Sequence, residues 1–359
     1  MASNVLLGVI VAVFALWYNL SLKMDLHKVV YNHRPGTCRH VQGPVNGSED
    51  IELIRSEGIA FVTSGLVYLQ SERYVPGKIF LYDFNQNPGA NKLEAKELKI
   101  RGDKFDEGNF HPHGLTHWIV NGVIRLYVVN HSQKIEHSIE VFDFNPHGPT
   151  LIHKKSIKDR ALVRPNDIVA VGPDQFIFTN DGISQSFGMN SLEMLLGWKA
   201  GSNFHVLLDG KGSPNGIAYD GKNEKLFVSM ILDETIDVYN VSQDRLSVSL
   251  VSRINVHSGC DNLFIDMDGS VYSGCHPIMH QAAASFKNCD SFDVKAPSQV
   301  LRLRFDNEYM NAEISEVYAN DGREITASSM ATIYSNQLLI GSVCRNLIHC
   351  EIVDISVLE

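Results

Sequence analysis

"RPNDIVAVGPDQFIFTNDG", residues 164–182, sets Asn166 and Asp167 side by side at the start of an apolar strand. Neighbours in an extended chain point to opposite faces, so two adjacent oxygen-bearing side chains cannot serve one small site by ordinary alternation. The same device recurs as Glu49-Asp50 in "NGSED" and Asp261-Asn262 in "GCDNLFID". Two hard cations stacked along one channel would take an oxygen from each member of such a pair. Calcium accepts six to eight oxygens at flexible geometry, Asn and Asp alike, whereas magnesium wants a tight octahedron and zinc wants His or Cys. One Asp or Asn in such a place reads as a turn cap. Three pairs together with Asn215 in "PNGIAYD" point to calcium.

Outward from that stretch the chain reads as β. Runs such as "GKIFLYDFN", "IRLYVVNHS", "SIEVFDFNPHG", "TIDVYNVS" and "LFIDMDGSVYSG" alternate with turn residues. Asp50, His113, Asn166, Asn215 and Asp261 introduce strands about 50 residues apart, the length of a four-stranded propeller blade. Six such units fill the body, which predicts an all-β, six-bladed β-propeller with its strand starts converging on a central tunnel; a sandwich pair or a large barrel would show similar strands. One helical pattern, "NSLEMLLGWKAG" around Trp198, predicts a short amphipathic helix that caps the core or touches a membrane.

The formal charge of −10 offers no basic stripe and excludes nucleic acid as a partner. An apolar run from Val5 to Leu22 sits at the lower edge of a bilayer span, with no basic segment before it and no small-residue cleavage site after it. It predicts a signal anchor over 1–24, with a cleaved leader as the alternative, ahead of a body over 25–359. Lys23, Lys28 and Arg34 follow the run, which by charge bias alone would place the body in the cytoplasm. The six cysteines have no C-x-x-C spacing for zinc, and Cys38 and Cys350 bracket the body where a bridge would join first strand to last; reduced thiols are the competing reading. Asn240-Val-Ser is a glycosylation acceptor in a polar turn, while the sequons at Asn46 and Asn130 sit beside candidate site residues and are expected to stay unused.

At these positions the chain resembles the paraoxonase family, calcium-dependent arylesterases and lactonases with a six-bladed propeller. The likeness is carried in order by "GSED", "FHPHGL" with "LYVVNH", "PNDIVAVGP" with "FTND", "PNGIAYD", "CDNLFID", "SGCHP", and "LLIGSV" through "LIHCEI". It implies two calcium ions. Glu49, Asn166, Asn215, Asp261 and Asn262 match the ligands of the catalytic ion; Asp50, Asp167 and the Leu115 carbonyl match those of the buried structural one. His113 and His131 match the family's histidine dyad, His113 as base, with Glu49 or Asp261 as competing bases; His111, His117 and His276 read as structural. The resemblance also implies a Cys38–Cys350 disulfide, a free thiol at Cys275 and a retained hydrophobic N-terminus. Calcium and a disulfide together place the body in the lumen of the secretory route or outside the cell, against the weak charge bias.

The reaction so implied is hydrolysis of a lactone or aryl ester, the carbonyl polarised by calcium. No G-x-S-x-G elbow supports a covalent serine mechanism. Leu66, Tyr68, Ser329 and Val343 match the family's pocket wall, but Ser213 and Ala283 stand where vertebrate members tend to carry bulky aromatics, and Gly182 replaces a longer polar side chain. Smaller walls lose contact with aryl groups and put organophosphate hydrolysis in doubt. Some invertebrate relatives with a short anchor resemble membrane proteins that assist ion-channel folding and assembly, which makes an accessory protein the rival expectation. A scaffold could lose His113, Glu49 or Asn262 freely, and all three are present.

Overall fold

The computed structural model describes residues 2–69, 74–86, 92–132, 136–182 and 213–353. Because each sheet packs between two others, strands such as Val271–His276 and Ile59–Ser64 are buried on nearly every residue rather than on alternate ones. Their β-branched and aromatic side chains suit that position. The chain forms an all-β, six-bladed propeller behind an apolar helix.

From the centre outward, blade 1 runs Ile51–Ile54, Ile59–Ser64, Lys78–Asp83 and Leu93–Glu97. The other innermost strands are Pro112–Val120, Pro165–Gly172, Pro214–Asp220, Gly259–Ile265 and Ser328–Tyr334, for blades 2 to 6. Blade 3 has two strands among the described residues. Blade 6 takes its outermost strand, Cys38–Gln42, from the far end of the chain; Cys38 pairs with Cys350, and their sulfurs are bonded across a sequence separation of 312. The same strand pairs in parallel with Leu93–Glu97, so it stitches blade 6 to blade 1.

An apolar cluster fills every gap between blades. Phe80 and Leu339 belong to the cluster between blades 1 and 6, and Phe61 meets Phe144 edge-on at 5.0 Å between blades 1 and 2. Val129 with Ala170, Val169 with Leu226, Phe227 with Leu301, and Tyr272 with Ile340 fill the others. Around the bore, hydrogen bonds cross each junction in turn, among them Leu115 N to Asp50 Oδ2, Ala170 N to Thr116 Oγ1, Ser229 Oγ to the Asp261 carbonyl and Ser329 Oγ to the Glu49 carbonyl.

The cysteines correct one expectation. Cys275 is not free: it stands opposite Cys260 on the adjacent strand, with Cα atoms 4.0 Å apart and the sulfurs bonded. Cys289 and Cys344 form a third bridge, and no cysteine remains as a thiol.

Helix α1, Ala2–Lys23, is exposed along its length, and it is long and apolar enough to cross a bilayer. Its end is pinned to the propeller. Asp25 is buried at 1% exposure, accepts a hydrogen bond from Met279 N at the start of helix α2 (Met279–Phe286), and pairs with Lys28 at 2.7 Å. Lys28 in turn pairs with Glu234, in the turn just beyond Met230, which lies opposite Pro214. α1 therefore hangs from the face on which the inner strands begin. The helix expected around Trp198 lies outside the described residues.

Candidate metal and catalytic site

The strand starts are bulged. On the inner strands of blades 2 to 6, pairing with the second strand slips at the same place: between Pro112 and Leu115, Pro165 and Ile168, Pro214 and Ile217, Cys260 and Leu263, and Ser328 and Ala331. An extra residue on the inner strand breaks the alternation of side chains. The residues inside the bulges include His113-Gly114, Asn166-Asp167, Asn215-Gly216 and Asp261-Asn262. Freed backbone amides are caught by hydroxyls on the second strand: Asp167 N donates to Thr179 Oγ1 at 3.1 Å, and Gly216 N to Ser229 Oγ at 2.8 Å. Blade 1 repeats the arrangement before its strand, where Asp50 N donates to Thr63 Oγ1 at 3.0 Å. Two glycines let neighbouring bulges meet, since a Cβ on Gly114 would lie 2.6 Å from Asp167 Cα and one on Gly216 2.6 Å from Asn262 Cα.

At the upper level, Glu49 Oε2, Asn166 Oδ1, Asn215 Oδ1, Asp261 Oδ1 and Asn262 Oδ1 are all buried without a protein hydrogen-bond partner. Glu49, Asp261 and Asn262 are also held in place. Asn262 Nδ2 donates to Glu49 Oε1 at 3.0 Å and to the Glu49 carbonyl at 3.1 Å, and His276 Nε2 lies 3.0 Å from Asp261 Oδ2. Unsatisfied buried acceptors cost about 1–3 kcal/mol each, so five together rival the roughly 5–15 kcal/mol stability of a whole domain. A single water has two donors for these five acceptors. A hard cation would satisfy them, and three amides with two carboxylates would suit calcium rather than zinc. Among the described residues no three His, Cys, Asp or Glu side chains form a metal cluster; this set depends on its amides.

One step deeper, Asp50 and Asp167 are 3% and 4% exposed, and backbone amides reach all their carboxylate oxygens. Ile51 N and Leu115 N donate to Asp50 at 2.8 Å each; Ile168 N and Ile217 N donate to Asp167 at 2.7 and 2.8 Å. Burial pushes both carboxyls well above the usual carboxylate range, reinforced by Glu49 beside Asp50 and by Asp50 beside Asp167. A cation between them would relieve the repulsion of two buried like charges.

His113 Nδ1 lies 3.0 Å from His131 Nε2, and His113 Nε2 lies 3.4 Å from Glu49 Oε1. Burial lowers the basicity of His113, but the Glu49 charge outweighs it and pushes the ring up to about 9. His131 goes the other way, held well below the ordinary value by burial and by His113, His137 and Arg164. The pair is thus polarised, one ring inclined to carry a proton and its neighbour to stay neutral.

Sequence reasoning passed over three groups at this end. His137 stacks edge-on against His131 with ring centres 4.6 Å apart, and Arg164 pairs with Asp181 at 2.6 Å within reach of Asn166. Asp181 stands in the quoted "TND", the one signal that could have found it. His276, read as structural, is buried and holds Asp261. His117 instead pairs with Glu52, and His111 is buried under Tyr74. Of the expected pocket wall, Leu66, Ser213 and Ala283 are partly buried and Ser329 and Val343 buried, while the Tyr68 side chain lies outside the described residues. Ser329 is occupied in holding the Glu49 backbone. Asn240 is exposed; Asn130 is buried, with Oδ1 accepting from His111 N.

Fold and site define a β-propeller enzyme of the esterase and lactonase class. A sequence model described as arylesterase matches residues 30–352. Serum paraoxonase/arylesterase 2 of Gallus gallus is 34% identical over 331 residues, 88% of each chain. Serum paraoxonase/arylesterase 1 of Homo sapiens is 32% identical over 331 residues, again 88% of each. Mechanosensory abnormality protein 6 of Caenorhabditis elegans is 28% identical over 348 residues, 93% of this chain and 91% of that one. The chain belongs to the arylesterase family.

Proposed function

We propose that the chain is a calcium-dependent hydrolase of lactones and aryl esters, with two ions stacked in the propeller bore. The observation that carries this reading is the set of five buried, unpartnered oxygens beside a hydrogen-bonded histidine pair. Glu49, Asn166, Asn215, Asp261 and Asn262 would hold the upper ion, and Asp50, Asp167 and the Leu115 carbonyl the deeper one. A calcium ion held by the upper set would supply carbonyl polarisation and charge for the oxyanion. Calcium on Glu49 would offset the charge that keeps the His113 ring protonated; the neutral ring would then take a proton from the attacking water and return it to the leaving oxygen, while His131 holds the ring and shares the charge. Glu49 and Asp261 are poorer bases, because Asn262 and His276 already occupy one oxygen of each. Leu66, Tyr68, Ser213, Ala283, Ser329 and Val343 would line the acyl and leaving-group pocket, with walls too small to favour phosphotriesters.

The apolar helix and three disulfides fit the secretory route. In this reading residues 1–24 anchor the chain and 25–359 form the propeller in the lumen or outside the cell, with the substrate face toward the membrane because α1 is pinned to that face. Asn240 would carry a glycan. The second reading is an accessory role toward membrane proteins with little hydrolysis; one relative bears the name mechanosensory abnormality protein 6 rather than that of an enzyme. One assay separates them: turnover of a panel of lactones and phenyl acetate by the full chain, with calcium, with a chelator, and as His113→Gln. Calcium-dependent turnover that falls about 10²–10⁴-fold in the variant supports the hydrolase. Turnover no faster in the wild type than in His113→Gln would leave the accessory role.

A further inference from the structure

The tunnel has a second mouth. Past the deeper carboxylates the inner strands enclose a cavity of about 540 Å³, and Asp50 and Asp167 themselves line it, whereas none of the five upper oxygens' residues does. Glu52 stands two residues beyond Asp50 and His117 two beyond Leu115, so both follow their strands' faces into this space. Glu52 Oε1 accepts from His117 N at 3.1 Å and meets His117 Nδ1 at 2.5 Å, which holds the carboxylate against blade 2. Both side chains keep partial exposure, 22% and 26%. Ala170, Ala218, Phe264 and Ile265 supply apolar stretches of a wall that also carries Thr116 and Tyr219.

We infer that this cavity is the loading route of the deeper calcium ion, and that Glu52 is the carboxylate at which the ion sheds water on its way to Asp50 and Asp167. The inference rests on the two-ion reading above. Space permits it: a calcium ion with six to eight waters at about 30 Å³ each needs roughly 180–240 Å³, well under the cavity volume. Charge favours it, because an acidic group in a low-dielectric channel concentrates cations and speeds their arrival. On the two-ion reading, an ion held by the upper five oxygens would stand between the upper mouth and the deeper pair. The two ions then exchange from opposite ends, so the deeper one is replaced without the upper one leaving.

The test is release of radiolabelled calcium from the full chain in detergent, chased with excess chelator, together with the rate of reloading. Ala218→Phe and Ala170→Leu put bulk into the cavity away from any ligand. Each is expected to slow release and reloading of the deeper ion about tenfold and equally, leaving its equilibrium affinity unchanged. Glu52→Gln is expected to slow loading at low salt, the difference shrinking at high salt. Unchanged exchange in both wall variants, or slowed exchange of the upper ion instead, would overturn the route. A wild-type chain that binds fewer than two ions would overturn the two-ion reading and the route with it. If one wall variant does not fold, the other and Glu52→Gln decide the matter.

Discussion

The two levels of the bore differ in how their oxygens are used. At the upper level five oxygens end without any protein partner, although Glu49, Asp261 and Asn262 are anchored through their other atoms. At the deeper level Asp50 and Asp167 have every oxygen engaged by a backbone amide, and two of those amides, Leu115 N and Ile217 N, belong to the next blade. The upper set leaves its oxygens free for a bound ion rather than for the protein's own donors. The deeper pair joins blades as well as binding charge, so disturbing it should cost the fold, and disturbing the upper set should cost the chemistry.

That contrast breaks or sharpens under substitution. Asp167→Ala strands the Ile168 and Ile217 amides and removes an ion ligand; it should lower unfolding free energy by roughly 3–5 kcal/mol in calcium, read from urea melts. A loss below about 1 kcal/mol would erase the distinction between levels. Asn166→Ala removes an upper oxygen and strands no backbone amide; turnover should fall about 100-fold, some 2.7 kcal/mol, while the melt moves little.

The closure seam provides the smallest and most independent effect. His349 is fully buried, and burial, aided by Arg39, lowers it from 6.5 to about 4. Its unfolded form binds a proton first as pH falls. Stability is therefore complete above about pH 6.5 and is lost downward toward 4, amounting to about 2 kcal/mol by pH 5. His349→Gln, able to keep a bond to Gln337, should flatten that slope without changing calcium affinity. Melts at pH 7 and 5 check it.

Much of this was legible in the sequence, because the feature that organises the bore is local. Polar residues at strand starts mark the repeat, as adjacent pairs in blades 1, 3 and 5 and as Asn215 in blade 4, and Glu49, Asn166, Asn215, Asp261 and Asn262 all stand in such places. What alternation hid was the bulge. It is defined by the register against a second strand, as at Pro165 and Ile168, and single-strand periodicity carries no record of it. The same limit explains Cys275: its partner Cys260 is 15 residues away, and only pairing across the hairpin brings them together. His137 and the Arg164–Asp181 pair gather from loops, and the lower cavity exists because six strands leave space between them. Neither leaves a pattern along the chain.

The central claim is that the bore holds two calcium ions at distinct levels. Equilibrium dialysis with radiolabelled calcium on wild type, Asn166→Ala and Asp167→Ala tests it most directly. The account predicts two ions per wild-type chain, selective weakening of one in Asn166→Ala, and loss of the tighter one in Asp167→Ala. Binding of no ion, or the same isotherm for all three proteins, would contradict it.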